Sequence, residues 1–436
     1  MTDTHNMAAP FYHHPPLIKK PKLGTRHNPQ TISLSNGAPV YLFPDRSTEI
    51  VRIDIHFDAG TNRENQPLQS QFTSLLMPGG TSKMSAAEID AAFDFFGSFP
   101  LFVADREKAV IQLYMLPCFF DKIIPVVTDI LFNPSFPDLE FQMQKEAKLQ
   151  QYQISRERVS TISFDYFFEA LFGACHPFGR RILPEHFENI TTGHLKDFHS
   201  LNFPEGLTRI ALSGNLNEKM VKLTGEFLGS MNYSAKTANN DASSYLEEAK
   251  TGIKLFIEKK GALQNSVRIG KRTISKNNPD YFGLKVVDTI LGGYFGSRLM
   301  QNLREDKGYT YNVNSSLMSL QNTGIISIST ELGIQNTHSA ITEIYKEISN
   351  LSLKKVQLSE LKLVKINMLG GIVRLFDGPF NSVDSFLSVS NFGYGIEYFQ
   401  TLEDKIRSIT PNEIKLLAET YYNTEEMHEI VAGSYE

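Results

Sequence analysis

The same succession of local patterns is written twice along this chain. Residues 31–44 read as a hairpin around Asn36-Gly37, a dipeptide suited to a two-residue turn. Residues 50–57 (I-V-R-I-D-I-H-F) alternate as a strand, 68–77 and 85–96 carry helical spacing, and 101–116 hold two strand-like runs around Ala104–Lys108. Ser85 with Glu88 three residues on has the spacing of a capping box. Helical stretches continue to Leu201, followed by a strand at Thr208–Gly214 and a helix ending at Leu228. From Ile253 the order restarts. Strands fall at 253–258 and 266–274, helices at 279–291 and 297–306 on either side of a break at Gly292-Gly293, and strands at 309–316 and 324–331. Helices fill most of the rest before a closing strand at 428–434. The repeat distance of roughly 210 residues marks an internal duplication.

Strand runs segregated from helix runs predict an α+β class: two homologous domains, each a mostly antiparallel sheet with helices packed on one face. The stretch 229–252 is polar, rich in Asn, Ser, Ala and Lys, and predicts a linker between domains at 30–228 and 253–436. With 436 residues, 41% apolar and 21% charged, the chain can bury large cores. A net charge of -5 argues against a nucleic-acid surface. No apolar run approaches the ~20 residues of a membrane span. The N-terminus has no basic segment followed by an apolar one, so a cytoplasmic location is expected, with the periplasm open if the N-terminus has been processed. His13-His14 in that polar tail supplies only two metal donors with no supporting shell. Cys118 and Cys175 are read as two buried free thiols.

Gln71, Ser74 and Leu75 lie three and four residues apart in L-Q-S-Q-F-T-S-L-L-M-P-G-G-T (Leu68–Thr81), after A-G-T-N-R-E (Ala59–Glu64). That spacing puts all three on one face of a helix. Further blocks are S-N-G-A-P-V-Y (Ser35–Tyr41), F-D-Y (Phe164–Tyr166) and H-P-F-G-R-R-I (His176–Ile182). The longest is L-G-G-Y-F-G-S-R-L-M-Q-N-L-R-E-D-K-G-Y-T-Y (Leu291–Tyr311), and I-T-P-N-E-I (Ile409–Ile414) follows near the end. In order and spacing these blocks resemble the pitrilysin/insulinase family of inverted-motif zinc peptidases, specifically its short members built like a mitochondrial processing peptidase subunit.

The resemblance implies where the chemistry would sit. Active members carry H-x-x-E-H on the first of these helices, two His binding zinc and the Glu acting as general base, with a Glu of a later helix as third ligand. Those positions fall on Gln71, Ser74, Leu75 and, anchored on F-D-Y, Gln151. All four depart from the pattern. A Gln amide is a poor zinc ligand, Leu75 has no donor atom, and Ser74 cannot replace a carboxylate base near neutral pH. The resemblance thus implies an inactive member with no cofactor of its own, the zinc belonging to a partner.

Arg304 and Tyr311 match a family Arg and Tyr that reach across to the zinc-bound substrate, with Tyr309 a nearby competitor. Taken without the surrounding block, Arg304 would be a solvated helix-end cation and Tyr311 a packed strand residue. The expected function is the non-catalytic subunit of a heterodimeric zinc peptidase, paired with a homologous zinc-binding subunit and acting on peptide substrates. The alternatives are a stand-alone pseudoenzyme that binds peptides, in which case the partner is a second copy (a homodimer), or a structural core-type subunit with a scaffolding role. No peptidase activity is expected of the chain alone.

Overall fold

The structure, a computed structural model, describes residues 28–231, 233 and 250–435. The expected linker at 229–252 therefore falls largely outside the described residues, as does the tail with His13-His14.

The first sheet contains β1 (Gln30–Ser33), β2 (Pro39–Pro44), β3 (Val51–Phe57), β4 (Phe99–Ala104), β5 (Ala109–Met115) and β6 (Leu207–Gly214), in the order β1-β2-β6-β3-β5-β4. The second contains β7 (Lys254–Glu258), β8 (Gln264–Thr273), β9 (Val313–Ser319), β10 (Gly324–Gly333) and β11 (His428–Gly433), in the order β7-β11-β8-β10-β9. Within each sheet one pair is parallel, β2 with β6 and β7 with β11, and every other pair is antiparallel. With β1 set aside, the two sheets follow the same path and end on the same kind of edge hairpin. The duplication read from the sequence is a duplication of topology, and the α+β class holds.

The helices of the first half are α1 (Gln69–Leu76), α2 (Ala86–Phe95), α3 (Phe120–Phe132), α4 (Asp138–Arg156), α5 (Val159–Phe172), α6 (Pro184–Asn189), α7 (Thr192–Asn202) and α8 (Glu218–Leu228). Those of the second are α9 (Tyr281–Gly292), α10 (Thr337–Leu353), α11 (Leu358–Arg374), α12 (Gly378–Ser390), α13 (Glu397–Ser408) and α14 (Pro411–Tyr421). The capping box before α2 forms as its spacing predicts. The Glu88 backbone N–H donates to Ser85 Oγ at 3.4 Å, and the Ser85 N–H donates to the Glu88 carboxylate at 2.8 Å.

Strand β3 shows how the halves are joined. Its alternation sends Val51, Ile53, Ile55 and Phe57 into the helix-covered core and Arg52, Asp54 and His56 to the opposite face, yet all seven residues are buried. The second face is covered from the other half. Helix α12 packs on β2 and β6, with Phe386 4.6 Å from Tyr41 and 5.5 Å from Phe43 between ring centroids. In return α5 packs on β8 and β11, where Phe167, Phe168 and Leu171 meet Leu320, Ile325 and Ile430. Each half lends one helix to the other half's sheet. Polar ties follow the same faces: Arg52 pairs with Asp384, Arg209 donates to Ser390 Oγ at 2.5 Å, and Ser163 and Ser266 share a hydrogen bond of 2.8 Å.

Three sequence expectations change. Cys118 and Cys175 are free but exposed, one in the turn entering α3 and the other in the loop after α5. The strand expected from Tyr309 begins at Val313, leaving Tyr309–Asn312 ahead of it. Within the helix expected at 297–306, Met300–Asp306 takes the wider π-helical hydrogen-bond pattern, a distortion frequent at functional sites.

Candidate functional site

Helix α1 is set by its own side chains. Leu68 enters it in a left-handed conformation (φ 77°). The Gln69 amide oxygen accepts from the Asn65 and Gln66 backbone N–H groups at 3.0 Å each, and its nitrogen donates to the His194 carbonyl at 3.1 Å. Ser70 Oγ donates to the Ala59 carbonyl at 2.6 Å. With one face held this way, Gln71 is exposed, Leu75 is half-buried and Ser74 is buried, its hydroxyl without a hydrogen-bond partner.

Gln71, Leu75 and Gln151 line one cavity of ≈ 620 Å³, together with Tyr152 of α4 and Leu101 and Val103 of β4. Positions 80 residues apart in sequence thus meet on one wall, but Ser74 is turned away from it. The donor set does not fit zinc. It offers two neutral amides and an aliphatic chain, and the Gln151 oxygen accepts from Lys148 Nζ at 3.3 Å. Among the described residues no group of three or more His, Cys, Asp or Glu is placed to hold a metal ion.

The cavity continues into a charged arm of ≈ 370 Å³ that shares Leu68, Gln71, Ala104 and Ile182 with it. Glu64 and Arg180 lie there, the guanidinium 3.2 Å from the carboxylate, which also accepts from the Ser70 N–H at 2.9 Å. Burial outweighs both partners and pushes the Glu64 carboxyl up to about 7. Arg106 lies over the Phe168 ring at 4.0 Å, and Asp165 accepts from Arg156 at 2.6 Å. Sequence reasoning quoted the two blocks that hold Glu64 and Arg180 without pairing them, since they stand 116 residues apart. Along the apolar arm runs β4, paired on one side only, with Phe99, Leu101 and Val103 exposed.

Arg304 and Tyr311 line neither arm. Arg304 sits on the π-helical turn, its guanidinium over the exposed Phe295 ring at 4.7 Å and 3.5 Å from Glu305. Tyr311 is 88% exposed and has no partner among the described residues, whereas Tyr309 packs against the second core. Of the two tyrosines, Tyr311 is the exposed one. The reading of Tyr311 as a packed strand residue does not hold, because it precedes β9.

Residues 189–368 match the family described as the peptidase M16 inactive domain. This chain carries a peptidase M16 inactive domain. Over 343 residues it is 24% identical to an uncharacterized zinc protease of Bacillus subtilis (strain 168), covering 78% of this chain and 82% of that protein. It is 25% identical to one of Mycobacterium leprae (strain TN), covering 81% and 80%. In structure it is similar to a peptidase M16 inactive domain from Pseudomonas fluorescens, with TM-score 0.82 at 20% identity over 94% of this chain and 99% of that one. The periplasmic protease PqqL of Escherichia coli is also similar, with TM-score 0.74 at 14% identity, this chain spanning 49% of it. The resemblance to the pitrilysin/insulinase family is borne out, and the M16 fold accounts for the paired sheets. The relatives are called uncharacterized zinc proteases; in this chain the wall described above carries Gln71, Leu75 and Gln151. It is a peptidase-like protein of the inactive-domain kind, and among its described residues no helix is long and apolar enough to cross a membrane.

Proposed function

We propose that this chain is the non-catalytic subunit of a heterodimeric zinc peptidase, lending Arg304 and Tyr311 to a homologous partner that carries H-x-x-E-H. One observation carries the reading: the stacked Arg304–Phe295 pair and the exposed Tyr311 lie outside the emptied wall and its charged arm. The wall lacks the means to cleave a peptide. The groups outside it offer a guanidinium held only by surface contacts with Phe295 and Glu305, and a phenol with no partner among the described residues. A scissile carbonyl gathers negative charge as water attacks, and two such donors stabilise that charge when fixed in place. Phe295 helps to fix Arg304, because a stacked guanidinium loses fewer rotamers on binding.

The test is co-purification with the native partner, followed by peptidase assays of Arg304→Ala and Tyr311→Phe in the assembled pair. Turnover should fall about 10²–10³-fold for the Arg change and less for the Tyr change, with assembly intact. Lys222→Ala on the outer face of α8 should leave turnover unchanged. Near-wild-type rates for both site variants would remove the trans-donation role.

The second reading, a peptide-binding pseudoenzyme working alone or as a homodimer, is favoured by the half-open edge of β4 beside an apolar cavity. An extended peptide could add to that edge and place alternate side chains in the cavity. Saturable binding of an apolar peptide by the purified chain, with no second polypeptide in native preparations, would select it over the heterodimer.

A further inference from the structure

The second half contains a cavity that the quoted sequence blocks touch only at Gly293. It measures ≈ 610 Å³ and lies among α9, α11, α12 and α13, remote in sequence from the peptidase-like cleft. That volume is within the ~300–1,000 Å³ of small-molecule sites. Its inner surface is apolar, formed by Ile372, Val389, Phe399, Leu402 and Ile406, all buried.

Against this apolar surface stand cations without matching anions. Lys285 on α9 is half-buried, and its ammonium makes no hydrogen bond or ion pair among the described residues. Lys276, after β8, donates to the Ser388 carbonyl at 2.8 Å and lies 4.9 Å from the Phe392 ring. Arg374 of α11 is exposed at the rim. The one carboxylate on the wall, Asp384, is already engaged by the buried Arg52. Asp288, one turn from Lys285, is buried and accepts from Ser315 and Tyr422. Glu107, whose charge reaches Lys276, accepts from the Gln321 N–H at 2.7 Å. The Tyr398 hydroxyl, in the same wall, is buried with no hydrogen-bond partner.

Burying cations without a paired carboxylate is unfavourable, and the chain shows this in protonation: burial pushes Lys276 down to about 8, with Lys285 and Lys108 acting the same way, and lowers Lys285 as well. An anion entering the cavity would relieve this, and an apolar body attached to it would cover Phe399, Leu402 and Ile406. We propose that this cavity binds a small organic acid with an apolar body, its carboxylate held between Lys285 and Lys276. A free fatty acid and the terminal residue of an apolar peptide share that chemistry. Helix α12 forms one wall of the cavity and covers the first sheet with its other face, so occupancy also stabilises the docked halves.

Calorimetric titration of the purified full chain with decanoate, with N-acetyl-phenylalanine and with decanol tests the proposal. Saturable binding of one acid per chain is expected, with decanol at least about tenfold weaker and with the melting temperature rising on ligand addition. The acid that binds more tightly identifies the source, free acyl chain or peptide terminus. Lys285→Met should weaken the acid about tenfold or more, and Lys285→Arg should keep most of the affinity. Lys276→Met, outside the helix, gives the same readout should Lys285→Met not fold. Failure of both acids to saturate at millimolar concentration would overturn the site. So would equal affinity for decanol, or affinity unchanged in both Lys→Met variants.

Discussion

Glu64 is the clearest case of a side chain working against its surroundings. Its carboxyl is buried, and although Ser70 and Arg180 favour the charged form, burial raises it from an ordinary 4.5 to about 7. A folded value above the unfolded one has a definite sign. The stabilising contribution is complete below pH 4.5 and is lost as the pH rises through 7, because the folded state must then hold a buried charge that the unfolded chain keeps in water. The size is on the order of 3 kcal/mol at most. We expect the unfolding free energy of wild type minus that of Glu64→Gln to fall between those two pH values and to be flat on either side. His176 and His428, held down to about 4 chiefly by burial, contribute the opposite slope, present above their ordinary 6.5 and lost as the pH falls through 4. That slope is common to both proteins and cancels in the difference. A difference that rises with pH would mean that the Arg180 pair outweighs burial.

At the scale of elements, α12 matters most, because it closes a sheet that belongs to the other half. Arg52 holds its anchor, buried between the buried Asp54 and the half-open Asp384. The two carboxylates should not be equivalent. Asp54→Ala leaves a buried guanidinium without its buried partner and should cost about 3–5 kcal/mol. Asp384→Ala removes a solvent-facing partner and should cost about 1 kcal/mol or less. Urea unfolding of the two variants checks the ranking, and equal losses would contradict it. The same helix marks where sequence reasoning stopped. In I-V-R-I-D-I-H-F the strand and its period are legible, since Val51, Ile53, Ile55 and Phe57 carry the alternation within seven residues. That run carried no sign that Arg52, Asp54 and His56 would be covered, because the cover is more than 300 residues away in sequence. The capping box at Ser85 was legible because both partners lie within one turn. The wall shared by Gln71, Leu75 and Gln151 became legible only through family spacing. The Lys276–Lys285 cavity had no local signal at all, its lining being spread over α9, α11, α12 and α13.

For the whole molecule, reciprocal lending of α5 and α12 means that the two halves are continuous in sequence but interlocked in packing. Limited proteolysis is expected to cut within the proposed join at 229–252, a polar stretch of the kind proteases prefer. The two fragments should then elute together in gel filtration and part only in denaturant. Fragments that separate without denaturant would contradict the exchanged packing. The central claim is that this chain has the frame of a zinc peptidase without its metal chemistry. The most direct measurement is metal content by mass spectrometry on the purified chain, with a peptidase assay on the same sample before and after chelation. We expect no stoichiometric zinc and no cleavage, since the matching positions are Gln71, Ser74, Leu75 and Gln151. One tightly held zinc per chain with chelator-sensitive cleavage would contradict it.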